Sequence, residues 1–151
     1  MSLFDQVNSD IKDAMLAREK EKLEALRSIK AAFLVANSEK GAASELSDDA
    51  AIKIIQKLVK QRKDAAEIYQ TNNRTDLYNK EILEAQVIEK YLPAQLTENE
   101  IETAIKLIIA QLGATGPQDM GKVMGLATKS FAGKADGKWV AQKVKDILAA
   151  L

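Results

Sequence analysis

The chain contains no cysteine and no histidine. Without cysteine there is no disulfide and no thiol nucleophile, and without either residue there is no Cys/His zinc site. Without histidine there is no imidazole to serve as a general base at neutral pH. Any acid–base or nucleophilic chemistry would fall to Asp, Glu, Lys, Ser or Tyr. Net charge is missing too, because 22 Lys+Arg balance 22 Asp+Glu. No global field therefore draws the chain to nucleic acid or membrane, and an anion-binding surface must be a local patch. Apolar runs of about 18 residues are absent, so no membrane-spanning helix is expected. The opening "MSLFDQVNSDIKDAM" carries acids early and no basic stretch before an apolar core, so no secretory signal is expected. The lack of cysteine makes the cytoplasm the expected compartment.

Proline is scarce, occurring only at Pro93 and Pro117, and six of the seven glycines lie between Gly113 and Gly137. No segment alternates apolar and polar residues as a strand would. An all-α fold is predicted, with an N-terminal four-helix unit over residues 1–95 and a C-terminal three-helix unit over 96–151. The first helix starts after Ser2, with Leu3, Phe4, Val7, Ile11 and Met15 on one face. A second starts near Glu19, carries Leu23, Leu26, Ile29 and Phe33, and fades into a loop holding Gly41. Ser47 caps a third, whose Asp48 and Asp49 suit the positive end of the helix dipole. The fourth is expected from about Thr75 to Leu92, where Pro93 stops it. Thr97 and Glu100 form a T-x-x-E capping box for the fifth, which presents Ile101, Ile105, Ile108 and Leu112 and ends at Gly113. The sixth is expected from Pro117, after Gly116, to about Lys129. The last is capped by Asp136 and carries Val140, Val144, Ile147 and Leu151.

"GPQDMGKV", Gly116 to Val123, reads as G-x-x-x-x-G-K but ends in Val where a phosphate-binding loop has Ser or Thr for magnesium. Pro117 lacks an N–H inside the would-be cradle, and the segment before it reads as an amphipathic helix and not a strand. No later strand ends in an acid that could hold magnesium. Neither a nucleotide nor any other cofactor or metal is expected. Gly121 and Gly125 share one helix face, and each costs about 1 kcal/mol relative to Ala inside a helix. Such a pair implies close approach, either by a neighbouring helix backbone or by the backbone of an RNA. Residues 114–151 hold six lysines against three acids, a net of +3. Lys122, Lys129, Lys134 and Lys138 are the candidates for contacting phosphates, against the plain alternative of lysines on a solvated face. Trp139 would either stack on a base or pack into the core.

Charges also interrupt apolar stripes in the first unit. On the third helix Ile52, Ile55, Val59, Arg62, Ala66 and Tyr69 alternate steps of three and four residues. On the fourth, Leu77, Glu81, Glu84, Ile88 and Tyr91 do the same, and on the second so do Leu23, Arg27, Lys30 and Leu34. Charges on a seam are costly unless paired. One reading is a partly buried ion-pair cluster, Arg27 and Arg62 with Glu81 and Glu84, that fixes helix register. A second puts Tyr78, Ile82, Ala85 and Leu92 in the core and the glutamates at its edge. A third is a polar groove for a ligand or protein partner. An acid/base pair of glutamates has no substrate-shaped pocket to support it.

"LRSIKAAF" from Leu26, "KQRKDAAEIYQTNNRTDL" over 60–77, Glu81 and Glu84, "YLPAQLTENE" from Tyr91, "DMGKVMG" from Asp119 and "ADGKWV" from Ala135 together resemble the YqeY-like family through nearly the whole chain. The resemblance implies an all-helical protein whose C-terminal part is similar to the tail domain of glutamine-dependent aminoacyl-tRNA amidotransferases. That domain contacts the tRNA body. By resemblance, Lys122, Lys134 and Lys138 would face tRNA or another RNA. The catalytic body of such carbon–nitrogen ligases has no counterpart here, so the implied role is an accessory one. The alternative is a protein-interaction module with no RNA role.

Overall fold

The computed structural model describes residues 1–39 and 46–151. The expected loop glycine, Gly41, lies outside the described residues. Among those residues there are seven α-helices, one short 3₁₀ turn and no strand. The chain divides into two compact units, Met1–Leu92 and Pro93–Leu151.

In the first unit α1 spans Leu3–Leu16 and α2 Lys20–Glu39, followed by α3 at Asp48–Thr71 and α4 at Thr75–Glu89. Ser2 begins α1 with a reciprocal cap. Its hydroxyl accepts from the Asp5 N–H, and the Asp5 carboxylate accepts from the Ser2 N–H. Ser47 Oγ accepts from the Ala50 N–H and starts α3. Asp48, on the first turn of α3, also accepts the free Leu3 N–H at 3.1 Å, tying two helix starts together. The turn from α3 to α4 passes through Asn73 in the left-handed region, φ 58°, a conformation Asn tolerates better than most residues. The α4 helix ends at Glu89, three residues short of the expected Leu92. Tyr91 and Leu92 instead donate to Ile88 and Glu89 in tightened i→i−3 bonds. Pro93 disfavours helical geometry at the residue before it, so the taper precedes the proline.

The core of this unit is built on Val7, Leu26, Ile29, Phe33, Ile55 and Ile88, with the Phe4 and Phe33 rings 6.3 Å apart. Arg62 and Glu84 belong to the seam where α3 meets α4.

In the second unit α5 spans Glu98–Leu112, α6 Met120–Ser130 and α7 Gly137–Ala149. Thr97 Oγ1 accepts from the Glu100 N–H as the capping box requires. The Glu100 carboxylate takes the Thr97 hydroxyl rather than a backbone N–H, at 3.1 Å. Gly113 closes α5 at φ 65°, where glycine alone carries no Cβ penalty. The sixth helix does not begin at Pro117. Pro117–Asp119 form a 3₁₀ turn, and α-helical geometry starts at Met120. The Asp119 carboxylate accepts the Thr115 N–H across that turn.

Ile101, Ile105, Val123, Ala127, Val144 and Leu148 form the centre of this unit's core. The apolar faces were legible except at their ends. Met15, Leu112 and Leu151 are exposed, whereas Ala14, Ile109 and Leu148 are buried. In α5 and α7 the buried face continues in steps of four, through Ile101, Ile105 and Ile109 and through Val140, Val144 and Leu148, so the last position of the expected 4,3,4 pattern turns to solvent.

Candidate functional site

Two groups of side chains form candidate sites, one in each unit. The first lies on the seam between α3 and α4. Arg62 Nη1 is 3.3 Å from Glu81 Oε2 and 2.8 Å from Glu84 Oε2. One guanidinium therefore serves two carboxylates. The contact to Glu81 has hydrogen-bond geometry. The contact to Glu84 is shorter but off-line, and Glu84 Oε2 is buried without a hydrogen bond. Distance and direction disagree here, and direction governs: Glu84 receives charge compensation from Arg62 but no donated proton. Glu84 is 5% exposed and is the only buried charged residue among those described. Burial pushes its carboxyl above the ordinary glutamate value. Arg62 opposes that shift, and the neighbouring Glu81 charge adds to it.

The expected cluster of Arg27, Arg62, Glu81 and Glu84 is thus present only in part. Arg27 is exposed and pairs with neither glutamate, and Lys30 is only half-buried. The stripe Leu23, Arg27, Lys30, Leu34 is not the buried face of α2. That face runs through Ala25, Leu26, Ile29 and Phe33. On α4 the two competing readings merge, since Glu84, Ala85, Val87 and Ile88 are all buried.

Sequence reading missed several contacts. Tyr91 donates its hydroxyl to the Asp10 carboxylate on α1. Lys80 on α4 lies 3.7 Å from Glu24 on α2, and Lys63 on α3 lies 3.2 Å from Glu89 on α4. Nothing in local spacing joins residues so far apart in the chain.

The second group lies on α6 and the start of α7. Lys122, Lys129, Lys134 and Lys138 are all exposed. Gly121 and Gly125 are exposed as well, and a Cβ at either position would meet open space. Close approach by a neighbouring helix is therefore overturned: the core side of α6 is carried by Val123 and Ala127, on the other face. Gly121, Gly125 and Lys129 are spaced four apart, and Lys122 and Lys129 seven apart, so the two glycines make a bare strip with both cations along one side of it.

Trp139 packs half-buried against the core, and Lys143 Nζ stands 5.9 Å from its ring centroid. Lys143 also approaches Glu102, whose pKa is held low first by a hydrogen bond from Lys106 and then by the Lys143 charge. Only the Glu102–Lys106 part, at i,i+4, was readable from spacing. The residues of "GPQDMGKV" form a 3₁₀ turn and then the first turn of α6, with the Val123 side chain fully buried. A phosphate-binding loop stands on a strand–loop–helix frame, which this segment does not have.

A family model described as "Yqey-like protein" matches residues 4–148. The chain is 30% identical over 152 residues to "Altered inheritance of mitochondria protein 41, mitochondrial" from Pyrenophora tritici-repentis, covering 98% of this chain and 82% of that protein. It is also 30% identical over 115 residues to the protein of the same name from Lachancea thermotolerans, covering 74% of this chain and 60% of the relative. A third of that name, from Clavispora lusitaniae, matches at 30% over 106 residues. These names overturn the cytoplasmic expectation. Absence of cysteine excludes disulfides, but it does not distinguish one compartment from another.

Proposed function

The chain belongs to the YqeY-like family, and on that premise we propose that it is an accessory RNA-binding protein, with tRNA the favoured ligand. In this reading the four-helix part is a scaffold and the three-helix part carries the ligand surface. Kinship of that part with the amidotransferase tail domain belongs to the same proposal and rests on the sequence resemblance. The observation that carries the reading is the bare, exposed strip of Gly121 and Gly125 with Lys122 and Lys129 together along one side. Glycines on an exposed helix face let a bulky backbone come close, and the ammonium groups beside them suit phosphate. None of Lys122, Lys129, Lys134 and Lys138 is held in an ion pair with a described residue. Lys134 and Lys138 extend the cationic surface along the turn into α7. With Trp139 packed against the core, recognition would run through charge and shape rather than base stacking.

The test is tRNA binding measured across a salt series. Affinity should fall steeply with salt, and the triple variant Lys122→Glu, Lys134→Glu, Lys138→Glu should lose most of it. Unchanged affinity in that variant would remove this surface from consideration. The interaction-module reading draws less support, because Arg62, Glu81 and Glu84 are taken up by the packing of α3 on α4.

A further inference from the structure

We infer that Glu84 is a proton switch on the seam between α3 and α4: with a proton bound it locks the two helices, and ionised it loosens them. The geometry carries the inference. Among the described residues Arg62 is the one cation on the seam in contact with Glu84, and it is shared with Glu81. Beyond that pair, the charges that reach Glu84 are Lys80 on its own helix and Glu24 on α2. Lys80 is drawn toward Glu24 at 3.7 Å. The group of Arg62, Lys80, Glu24, Glu81 and Glu84 therefore holds two cations and three potential anions. One negative charge is in excess when every carboxylate is ionised. The excess falls on Glu84, because it is the buried one and its Oε2 receives no hydrogen bond.

Protonating Glu84 removes the excess. Arg62 and Glu81 then form a balanced pair, and Lys80 and Glu24 another. The buried carboxyl becomes neutral and gains a donor of its own. The direction of the Glu84 shift agrees, since burial favours the neutral acid. Ionisation reverses these gains and leaves a desolvated charge between helices. The state of one proton thus sets how tightly α4 is held to α3. This bears on the scaffold unit and does not depend on the RNA reading.

The test is made on the whole chain. The carboxyl carbon of Glu84 is followed by ¹³C NMR from about pH 4 to about pH 8, a range that brackets ordinary glutamate. In parallel, hydrogen exchange of α4 amides, corrected for intrinsic rates, gives the opening equilibrium of the seam. Glu84 should titrate above the other glutamates. The opening constant should rise with pH through the same window, approaching about tenfold per pH unit for one linked proton. Glu84→Gln should flatten that dependence. Glu81→Gln should move it to lower pH, because Arg62 then serves Glu84 alone. Titration of Glu84 with the ordinary glutamates would overturn the inference on the unaltered protein, whatever the variants do. An α4 opening profile unchanged in Glu84→Gln would overturn it as well.

Discussion

Tyr91 donates its phenolic hydroxyl to the carboxylate of Asp10, a residue 81 positions earlier in the chain. The bond joins the segment just past α4 to the middle of α1, and Tyr91 packs against the core beside it. It is a charge-assisted bond in a partly buried place, the class that contributes about 1.5–3 kcal/mol.

Tyr91→Phe keeps the ring and removes the donor. It should destabilise the first unit by about 1–2 kcal/mol, measured by urea denaturation. Burial first, and then Asp10, pushes the phenol well above its usual value. A raised folded-state value means that the protonated phenol is favoured in the folded state. The contribution is whole below about pH 10 and is lost as pH rises beyond it. The difference between wild type and Tyr91→Phe should therefore narrow in alkali. A constant difference would show that the ring packing, and not the bond, had been disturbed.

Arg62→Met leaves Glu84 buried without its cation. The expected cost is about 2–4 kcal/mol near neutral pH, below the top of the range for broken buried pairs because Arg62 keeps 30% of its side chain exposed. Because the Glu84 carboxyl is already raised, that cost should shrink as pH falls and the group protonates. The double variant Arg62→Met, Glu84→Leu should be more stable than Arg62→Met alone. Equal stability of the two would mean that Glu84 carries no buried charge to compensate.

The caps offer a simpler measurement. Thr97→Ala removes the oxygen that accepts from the Glu100 N–H at 3.1 Å. Stability of the second unit should fall by about 1 kcal/mol, seen as loss of cooperativity or midpoint in a thermal scan. Thr97→Ser, which keeps the acceptor, should restore most of it.

What the sequence made legible follows from the range of each interaction. Caps at Ser2, Ser47, Thr97 and Asp136 act over three residues or fewer, and each does start a helix. Pro117 marked a turn but not the α-helix itself, because a proline start suits a 3₁₀ turn as well as an α turn. The charged seam was visible as charges inside a stripe, yet periodicity could not tell which cations would reach the glutamates. Arg62 does and Arg27 does not, because α3 and α2 turn different faces to α4, and that is fixed by packing. Tyr91 with Asp10, and Lys80 with Glu24, depend on the tertiary arrangement alone. The exposed glycines were legible as costly. Their neighbourhood was not, since a small residue looks the same in sequence whether a helix or open space lies opposite.

That open space yields the prediction that best separates fold from function. A Cβ added at Gly121 or Gly125 meets nothing within 4 Å, and both positions lie inside α6. Gly121→Ala and Gly125→Ala should each stabilise the second unit by about 0.5–1 kcal/mol, through helix propensity and a less flexible unfolded chain. A fold that needed these glycines would respond the other way. If the strip receives an RNA backbone, the same two methyl groups stand between it and α6. The double variant should then melt higher and bind tRNA more weakly, with the salt dependence nearly intact because the lysines remain. A higher melting temperature with undiminished binding would leave the lysines as a diffuse cationic surface and deny the strip its role as the contact. The two quantities move in opposite directions only if the glycines are kept for a ligand.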